Sequence, residues 1–335
     1  MSERGEVCRT LSLMRSVVCE ELGPPEKLGI VERPEPEPGP GEVRVAVKAA
    51  GVNYVDGLIA AGRYQVKIPP PFVPGSEVAG VIDAVGTGVD HRRAGERVFA
   101  TVGLGGFAEA VVMRSEAAVP IPDTLDFAQA ASFHQAYCTA WFSFRRRITL
   151  QKGEWVLVTG AGGGIGLAAI DVARSLGAHV IAVASTPEKR ELAQRAGAEA
   201  AIDGANEDVK TRAREIGGGG IDVVYDAVGG TLAEPALRAL RDDGRFLVVG
   251  FTGGIPKIPL NLVLLNNRRI VGIEWGGWAM KHPDENRALV DEVLEQIAAG
   301  ALHPVAPQER PLEQAGQAIA DLLERRAAGK IVLVP

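Results

Sequence analysis

The sequence predicts an α/β protein built in two parts, a β-rich N-terminal region followed by a doubly wound parallel sheet of six strands. Three observations carry this. Residues 155 to 166, WVLVTGAGGGIG, run from an apolar strand through a glycine cluster into a helical pattern that ends at Gly177. Between Gly153 and Trp275 strand-like and helical segments alternate, as they do when parallel strands are joined by right-handed crossovers. Ahead of Pro122 the apolar runs are short and separated by Pro and Gly, as in a compact barrel or sandwich. A chain of 335 residues also exceeds the ~250 to 300 at which a single core stops growing.

Taken in order, the residues before Met14 have too short an apolar core for a signal peptide and read as a frayed extension or an upstream start. SVVCEEL, GEVRVAVKAAGV, SEVAGVIDAVG and the stretch from Arg97 to Pro122 then supply short strands. The proline-rich run 34 to 42 is a surface turn between them. From Leu125 the spacing turns helical, and Arg145 to Arg147 near its end cap the helix or solvate it. After the glycine unit come HVIAVAS, a helix from Pro187 to Ala196, EAAID, a helix from Asn206 to Ile216, IDVVYDAVG, a helix from Leu232 to Leu240, GRFLVVGF and RIVGIEW. Helices over Glu285 to Ala299 and Leu312 to Ala328 and a last strand, KIVLV, are too little for a third domain and are expected to return to the N-terminal one.

Composition narrows the function classes. A net charge of −6 leaves no basic footprint for nucleic acid or an anionic membrane, and 46% hydrophobic residues suffice for large cores. No apolar run reaches the ~20 residues of a membrane helix. Cys8, Cys19 and Cys138 are scattered, which fits a reducing compartment, and the cytoplasm is the expected location.

Strand, glycine loop and helix together form the dinucleotide-binding unit. Its chemistry needs a tight turn, a residue without a side chain where the backbone meets the pyrophosphate, a close helix–strand contact, and helix N-terminal amides facing the phosphate. Ala161, Gly163 and Gly166 fit that spacing, with Gly164 and Ile165 between the last two. TGAGGGIG also matches the TGxxxGIG of short-chain dehydrogenases, whose chemistry needs a downstream YxxxK. Tyr225 is the only tyrosine after Gly166 and Gly229 stands at the lysine position, so that reading is rejected. An NAD site puts Asp or Glu at the end of the second strand, on the ribose 2′-OH. Here that strand ends in Ala184, Ser185 and Thr186, with Lys189 and Arg190 on the next helix turn. Absence of an acid and presence of cations predict NADPH, the alternative being that Lys189 and Arg190 are only a solvated helix face.

Over nearly its whole length from Arg15 the chain resembles the zinc-independent, zeta-crystallin-like quinone oxidoreductase branch of the medium-chain dehydrogenase/reductases. The resemblance rests on GVNYVDGLIAAGRY, PFVPGSEVAGVIDAVG, AGERVFA, GGFAEAVV, the glycine loop, GIDVVYDAVGG and GRFLVVGF, in that order. It implies a GroES-like substrate domain from residues 1–138 and 276–335, a Rossmann domain over 139–275, an active site in the cleft between them, and a homodimer joined through Rossmann edge strands. By family position Asn53, Tyr64 and Thr139 lie near nicotinamide or substrate, and Val228, Gly229, Gly250, Phe251 and Trp275 surround the coenzyme. Each could equally serve packing or a turn hydrogen bond. Two departures are a family tyrosine replaced by Leu58 and another missing near Gly204.

Zinc-dependent members of the same superfamily carry a cysteine in the segment matching GVNYVD, a histidine in a GHE triplet and a third ligand mid-chain. Here the first segment has no cysteine, the triplet is Gly75, Ser76, Glu77, and the third position falls near Gln135, beside His134. A catalytic zinc needs about three protein ligands, so no metal is expected. The resulting expectation is an NADPH-dependent, metal-free reductase of a small quinone or activated α,β-unsaturated carbonyl. Alternatives are an enoyl-thioester reductase, with Arg63, Lys67 and Lys281 as candidates for a basic entrance, and a coenzyme-binding protein without turnover.

Overall fold

The computed structural model describes residues 12–335; Cys8 and most of the extension before Met14 lie outside them. The described chain divides into two units.

The first unit contains the described residues up to Ile121 with Glu309–Glu324 and Val332–Pro335. Its strands are β1 (Leu13–Val18), β2 (Gly29–Pro34), β3 (Glu42–Val52), β4 (Glu77–Val85), β5 (Arg97–Thr101), β6 (Ala110–Arg114) and β7 (Val119–Pro120), with α1 (Tyr54–Ala60) between β3 and β4. β3 pairs antiparallel with β4 and β6, β4 with β5, and β5 with β7. Along β3, Val43, Val45 and Val47 are buried and alternate with more exposed neighbours, the pattern of a strand with one face on a core. β2 has no alternation to give it away. It is exposed throughout and stands as a strand through its pairing with β1. The short α1 is started by a capping box in which the Asp56 carboxylate accepts from the Asn53 backbone N–H at 2.8 Å.

The second unit contains Pro122–Gln308 and Arg325–Ile331. It runs α2 (Phe127–Phe142), β8 (Trp155–Thr159), α3 (Gly164–Ser175), β9 (His179–Ala184), α4 (Pro187–Arg195), β10 (Ala200–Asp203), α5 (Val209–Ile216), β11 (Ile221–Asp226), α6 (Ala233–Ala239), β12 (Leu240–Val248), α7 (Asn261–Leu264), β13 (Arg269–Gly272), α8 (Trp275–Lys281) and α9 (Pro283–Ala298). All six expected strands pair in parallel, in the order β10-β9-β8-β11-β12-β13. Helices cover the sheet, so Val156, Leu157 and Val158 are all fully buried, which is why β8 reads as a continuous apolar run. The order reverses between β8 and β11, and ligands of such sheets bind at the carboxyl ends of the strands flanking that reversal.

The chain closes with β14 (Gln308–Pro311), α10 (Ala315–Leu323) and β15 (Ile331–Val334), the two strands extending the sheet of β3 in the order β14-β15-β3. Several expected elements are shorter than read, the helix from Asn206 beginning only at Val209, and in two of them the cause is visible. The strand expected to run to Trp275 stops at Gly272, because the Glu274 side chain accepts from Gly277 N at 2.6 Å and starts a helix. The helix expected over Leu312 to Ala328 is α-helical only over Ala315–Leu323. A 3-10 turn precedes it, and Arg325 at φ 58° leaves the helical region after it.

Candidate coenzyme and active site

The glycine loop leaves β8 at Thr159 and enters α3 through Gly163, its N-cap. Gly160 takes φ +64°, the left-handed conformation that turns the chain. A Cβ on Gly166 would lie 2.4 Å from the Gly160 carbonyl oxygen, so this position sets how closely α3 approaches the strand. Ala161 is buried, whereas Gly163, Gly164 and Ile165 are half-buried; the Gly163 N–H donates to the Gly160 carbonyl at 3.0 Å, and the amides of the first helical turn begin at Gly164 and Ile165. The positive-φ glycine is thus Gly160, one residue before the alanine that the spacing placed at the head of the motif. The fit to a pyrophosphate is physical: a turn without a Cβ, a closely packed helix start, and unpaired N–H groups at the positive end of a helix dipole.

Two buried residues that the motif did not single out hold this loop. Asp226, at the end of β11, accepts from the Thr159 hydroxyl, from Val228 N at 3.0 Å and from Gly229 N at 3.1 Å. One carboxylate therefore ties together the carboxyl ends of the strands flanking the order reversal. The signal was present in the sequence as an acid directly before Ala-Val-Gly-Gly. Val228 and Gly229 follow it in the loop; Gly250 donates to the Asp226 backbone oxygen at 3.2 Å, and Phe251 is 45% exposed beyond β12.

At the end of β9, Ser185 is exposed and Thr186 caps α4, its hydroxyl oxygen accepting from Lys189 N at 3.3 Å. The Lys189 stem packs on the glycine loop, where a Cβ on Gly162 would fall 2.4 Å from Lys189 Cβ. The Lys189 ammonium donates to the Arg325 carbonyl at 2.5 Å. Burial pushes its pKa down and the nearby Arg325 charge pushes it further. Among the described residues neither Lys189 nor Arg325 has a carboxylate at ion-pair distance. Arg190 differs: it pairs with Asp203 at 3.0 Å and donates to the Ala184 carbonyl at 3.4 Å. Arg325 lies 136 residues from Lys189, in a segment that meets the loop where Gly329 N donates to the Gly162 carbonyl at 2.7 Å. No spacing rule could have found it.

Thr139 sits in α2, buried, its hydroxyl donating to the Gln135 carbonyl at 2.7 Å. Its proton is engaged and the oxygen is left as an acceptor. Trp275 is the first residue of α8, buried, with its indole N–H on Asn286 Oδ1 at 3.0 Å and its ring edge-on to His134 at 5.4 Å. Trp278 packs on Phe142 and His282. Arg145 lies over the Trp141 ring, Arg146 pairs with Glu292, and Arg147 donates to the Gly272 carbonyl. In the first unit, Asn53 donates from Nδ2 to Glu77 Oε2 at 2.8 Å, and Tyr64 packs against the cluster of Cys19, Ile59, Ala60 and Phe72. Arg63 and Lys67 are exposed, the latter donating to the Gly62 carbonyl; Lys281 is exposed in the last turn of α8.

Residues 39–123 match the alcohol dehydrogenase GroES-like domain, and residues 164–295 match the zinc-binding dehydrogenase family. The chain is 38% identical to a quinone oxidoreductase-like protein 2 homolog of Nematostella vectensis, over 95% of this chain and 88% of that one. It belongs to the quinone oxidoreductase branch of the medium-chain dehydrogenase/reductases. Among solved structures of this superfamily, it superposes on Escherichia coli quinone oxidoreductase complexed with NADPH with a TM-score of 0.86, at 30% identity over 96% of this chain and all of that one. It also superposes on an NAD-dependent alcohol dehydrogenase with a TM-score of 0.88, at 31% identity over 96% of this chain and all of that one. The fold is therefore common to proteins named for different coenzymes.

A zinc-binding family description prompts a test of the donor set. Among the described residues there is no group of three or more His, Cys, Asp or Glu side chains arranged to hold a metal ion. Glu77, in the triplet where the zinc enzymes carry histidine beside glutamate, is buried and hydrogen-bonded to Asn53. The donors present do not fit a catalytic zinc. No helix of the described residues is long and apolar enough to cross a membrane.

Proposed function

We propose that this oxidoreductase is an NADPH-dependent, metal-independent reductase of quinones or activated α,β-unsaturated carbonyls. The observation that carries the coenzyme assignment is Lys189, a partly desolvated cation seated on the glycine loop and bonded to the Arg325 carbonyl, with the Arg325 charge near enough to depress its pKa and, among the described residues, no carboxylate at ion-pair distance from either. Such an arrangement is unfavourable in the free protein and becomes favourable when a dianion binds. A 2′-phosphate beside Ser185 supplies that dianion, and NADH does not.

NADPH, when bound, supplies a hydride from the nicotinamide, so the protein has to bind, orient and exclude water. The glycine loop and the α3 N-terminus take the pyrophosphate, with Asp226 keeping the two strand ends in register. Ser185, Thr186, Lys189 and Arg325 take the adenosine ribose and its phosphate. Thr139, with its proton committed to the helix, accepts from the carboxamide. Asn53, oriented by Glu77, and Tyr64 are the substrate-side groups, Tyr64 being the candidate proton donor to a reduced oxygen. We further propose a homodimer joined through β13. This edge strand exposes Ile270, and Leu260, Leu264 and Leu265 just before it are 74, 78 and 59% exposed, an apolar surface that a second subunit would cover. The cytoplasm is the proposed location.

The test is NADPH oxidation, followed by absorbance, with a naphthoquinone, a phenanthrenequinone, an enone and crotonyl-CoA. Turnover with quinone or enone, unaffected by chelators, is expected. Turnover confined to crotonyl-CoA would make the enzyme an enoyl-thioester reductase. Coenzyme binding without oxidation across the panel would make it a binding protein, and tightly bound stoichiometric zinc would overturn the metal-free assignment.

A further inference from the structure

Lys189 and Arg190 both lie on the helix turn that follows β9, the charge of Arg325 reaches Lys189, and Arg190 is already neutralised. Asp203 ends β10 opposite Ala184, the last residue of β9, in the parallel register. Its carboxylate accepts from Ala205 N at 3.0 Å and Asn206 Nδ2 at 3.1 Å and pairs with Arg190 at 3.0 Å. Those two local hydrogen bonds, with a smaller contribution from Arg190, hold its pKa below the usual carboxylate value, so it is ionised at neutral pH. Arg190 also donates to the Ala184 carbonyl, which fixes its guanidinium beside Ser185, on the side of the strand where the adenosine ribose binds in this fold. Its side chain is only 21% exposed and that of Asp203 only 18%, so the pair is shielded in part from screening by solvent.

We propose that Asp203 sets the coenzyme preference: by holding Arg190 it withholds a third cation from the 2′-phosphate and keeps a negative charge nearby, moderating selectivity for NADPH over NADH. The inference rests on the NADPH assignment above and adds to it a positioning residue that does not itself touch the coenzyme. Asp203→Asn is the informative change, because the amide oxygen still accepts from Ala205 N and keeps the turn while the charge disappears. Arg190 then becomes available for a charge-assisted hydrogen bond to phosphate.

Dissociation constants for NADPH and NADH, with 2′,5′-ADP and 5′-AMP as probes of the adenosine end, are measured by calorimetry on wild type and variants. Asp203→Asn is expected to tighten NADPH and 2′,5′-ADP by roughly 5- to 10-fold and leave NADH and 5′-AMP within about 2-fold. The double variant Asp203→Asn/Arg190→Ala is expected to lose the gain, and Asp203→Glu, which keeps the charge, to show none. An unchanged or weakened NADPH affinity in Asp203→Asn would overturn the inference, as would a gain that persists without Arg190. So would a tenfold loss of NADPH affinity in Arg190→Ala alone, since Arg190 would then serve the phosphate from within its pair. A wild-type protein without preference for NADPH would overturn the coenzyme assignment and this inference together; an NADPH-preferring wild type with an unresponsive Asp203→Asn overturns this inference only.

Discussion

Under the proposed function, the glycine loop at 160–166 and the end of β9 at 185–190 serve the same coenzyme by different physics. In the loop the chemistry is done by backbone. Gly160 turns the chain, Gly166 lets α3 approach the loop, and the amides at the helix start are the groups proposed to receive the phosphates. At the end of β9 it is done by side chains: Ser185, the Thr186 cap, Lys189, Arg190 with Asp203, and Arg325. A backbone site admits little change because a single Cβ collides with atoms that cannot move, whereas a site made of charges changes by degrees. The two regions touch where the Lys189 stem packs on Gly162, so the charged end is also anchored by the loop.

The largest effect is expected from Gly166→Ala. Its Cβ falls 2.4 Å from the Gly160 carbonyl oxygen, so helix and loop separate and both coenzymes lose affinity together, by roughly 100-fold or more. Titration with NADPH and NADH checks this, and a selective loss of one coenzyme would break the division between backbone and side-chain regions. Lys189→Ala comes next. Losing a charge-assisted contact of about 1.5 to 3 kcal/mol should weaken NADPH relative to NADH by roughly 10- to 100-fold, and an unchanged ratio would sink the assignment of this end to a phosphate. For Arg325→Ala a loss of roughly 3- to 10-fold in the same ratio is expected, smaller because Lys189 stays and its pKa rises part of the way back, burial still holding it down.

The smallest and most diagnostic effect is a pH dependence. Burial and Arg325 hold the Lys189 pKa below its unfolded value of about 10.4. A bound phosphate dianion favours the charged amine, so NADPH binding takes up a proton wherever free Lys189 is partly neutral. NADPH affinity should therefore fall as pH rises through the range below about 10.4, while NADH affinity stays flat. The sign for stability is the reverse. The depressed pKa means the folded state binds fewer protons than the unfolded one in that window, so this group makes the coenzyme-free protein more stable as pH rises through it. Calorimetry of both coenzymes across the window, repeated on Lys189→Ala, reads the effect; a slope surviving in the variant would assign it to another group.

Legibility in the sequence followed the same divide. All six strands of the parallel sheet are legible, the central ones because strands covered on both faces are continuous apolar runs such as Val156 to Val158, and the more exposed β13 through its β-branched Ile270 and Val271. The exposed β2, without alternation, and the short α1, with a single capping box, offered no comparable period. The glycine cluster pointed to a phosphate site, although the turn residue proved to be Gly160. Asp226 stood in plain view before a glycine pair but bore no motif, since what makes it matter is Thr159 on the adjacent strand.

By itself the sequence determined the class of fold, the dinucleotide loop, the lack of an acid after β9 and the lack of zinc ligands at the family positions, because each is a property of residue type at short spacing. Tertiary structure decided which of these groups meet. It brought Arg325 against Lys189 across 136 residues, put Asp203 on Arg190, and joined Asp226 to Thr159. Electrostatic partners are fixed by distance in space, and parallel strands with crossover helices bring together, at the carboxyl ends of the strands, residues that the chain keeps far apart.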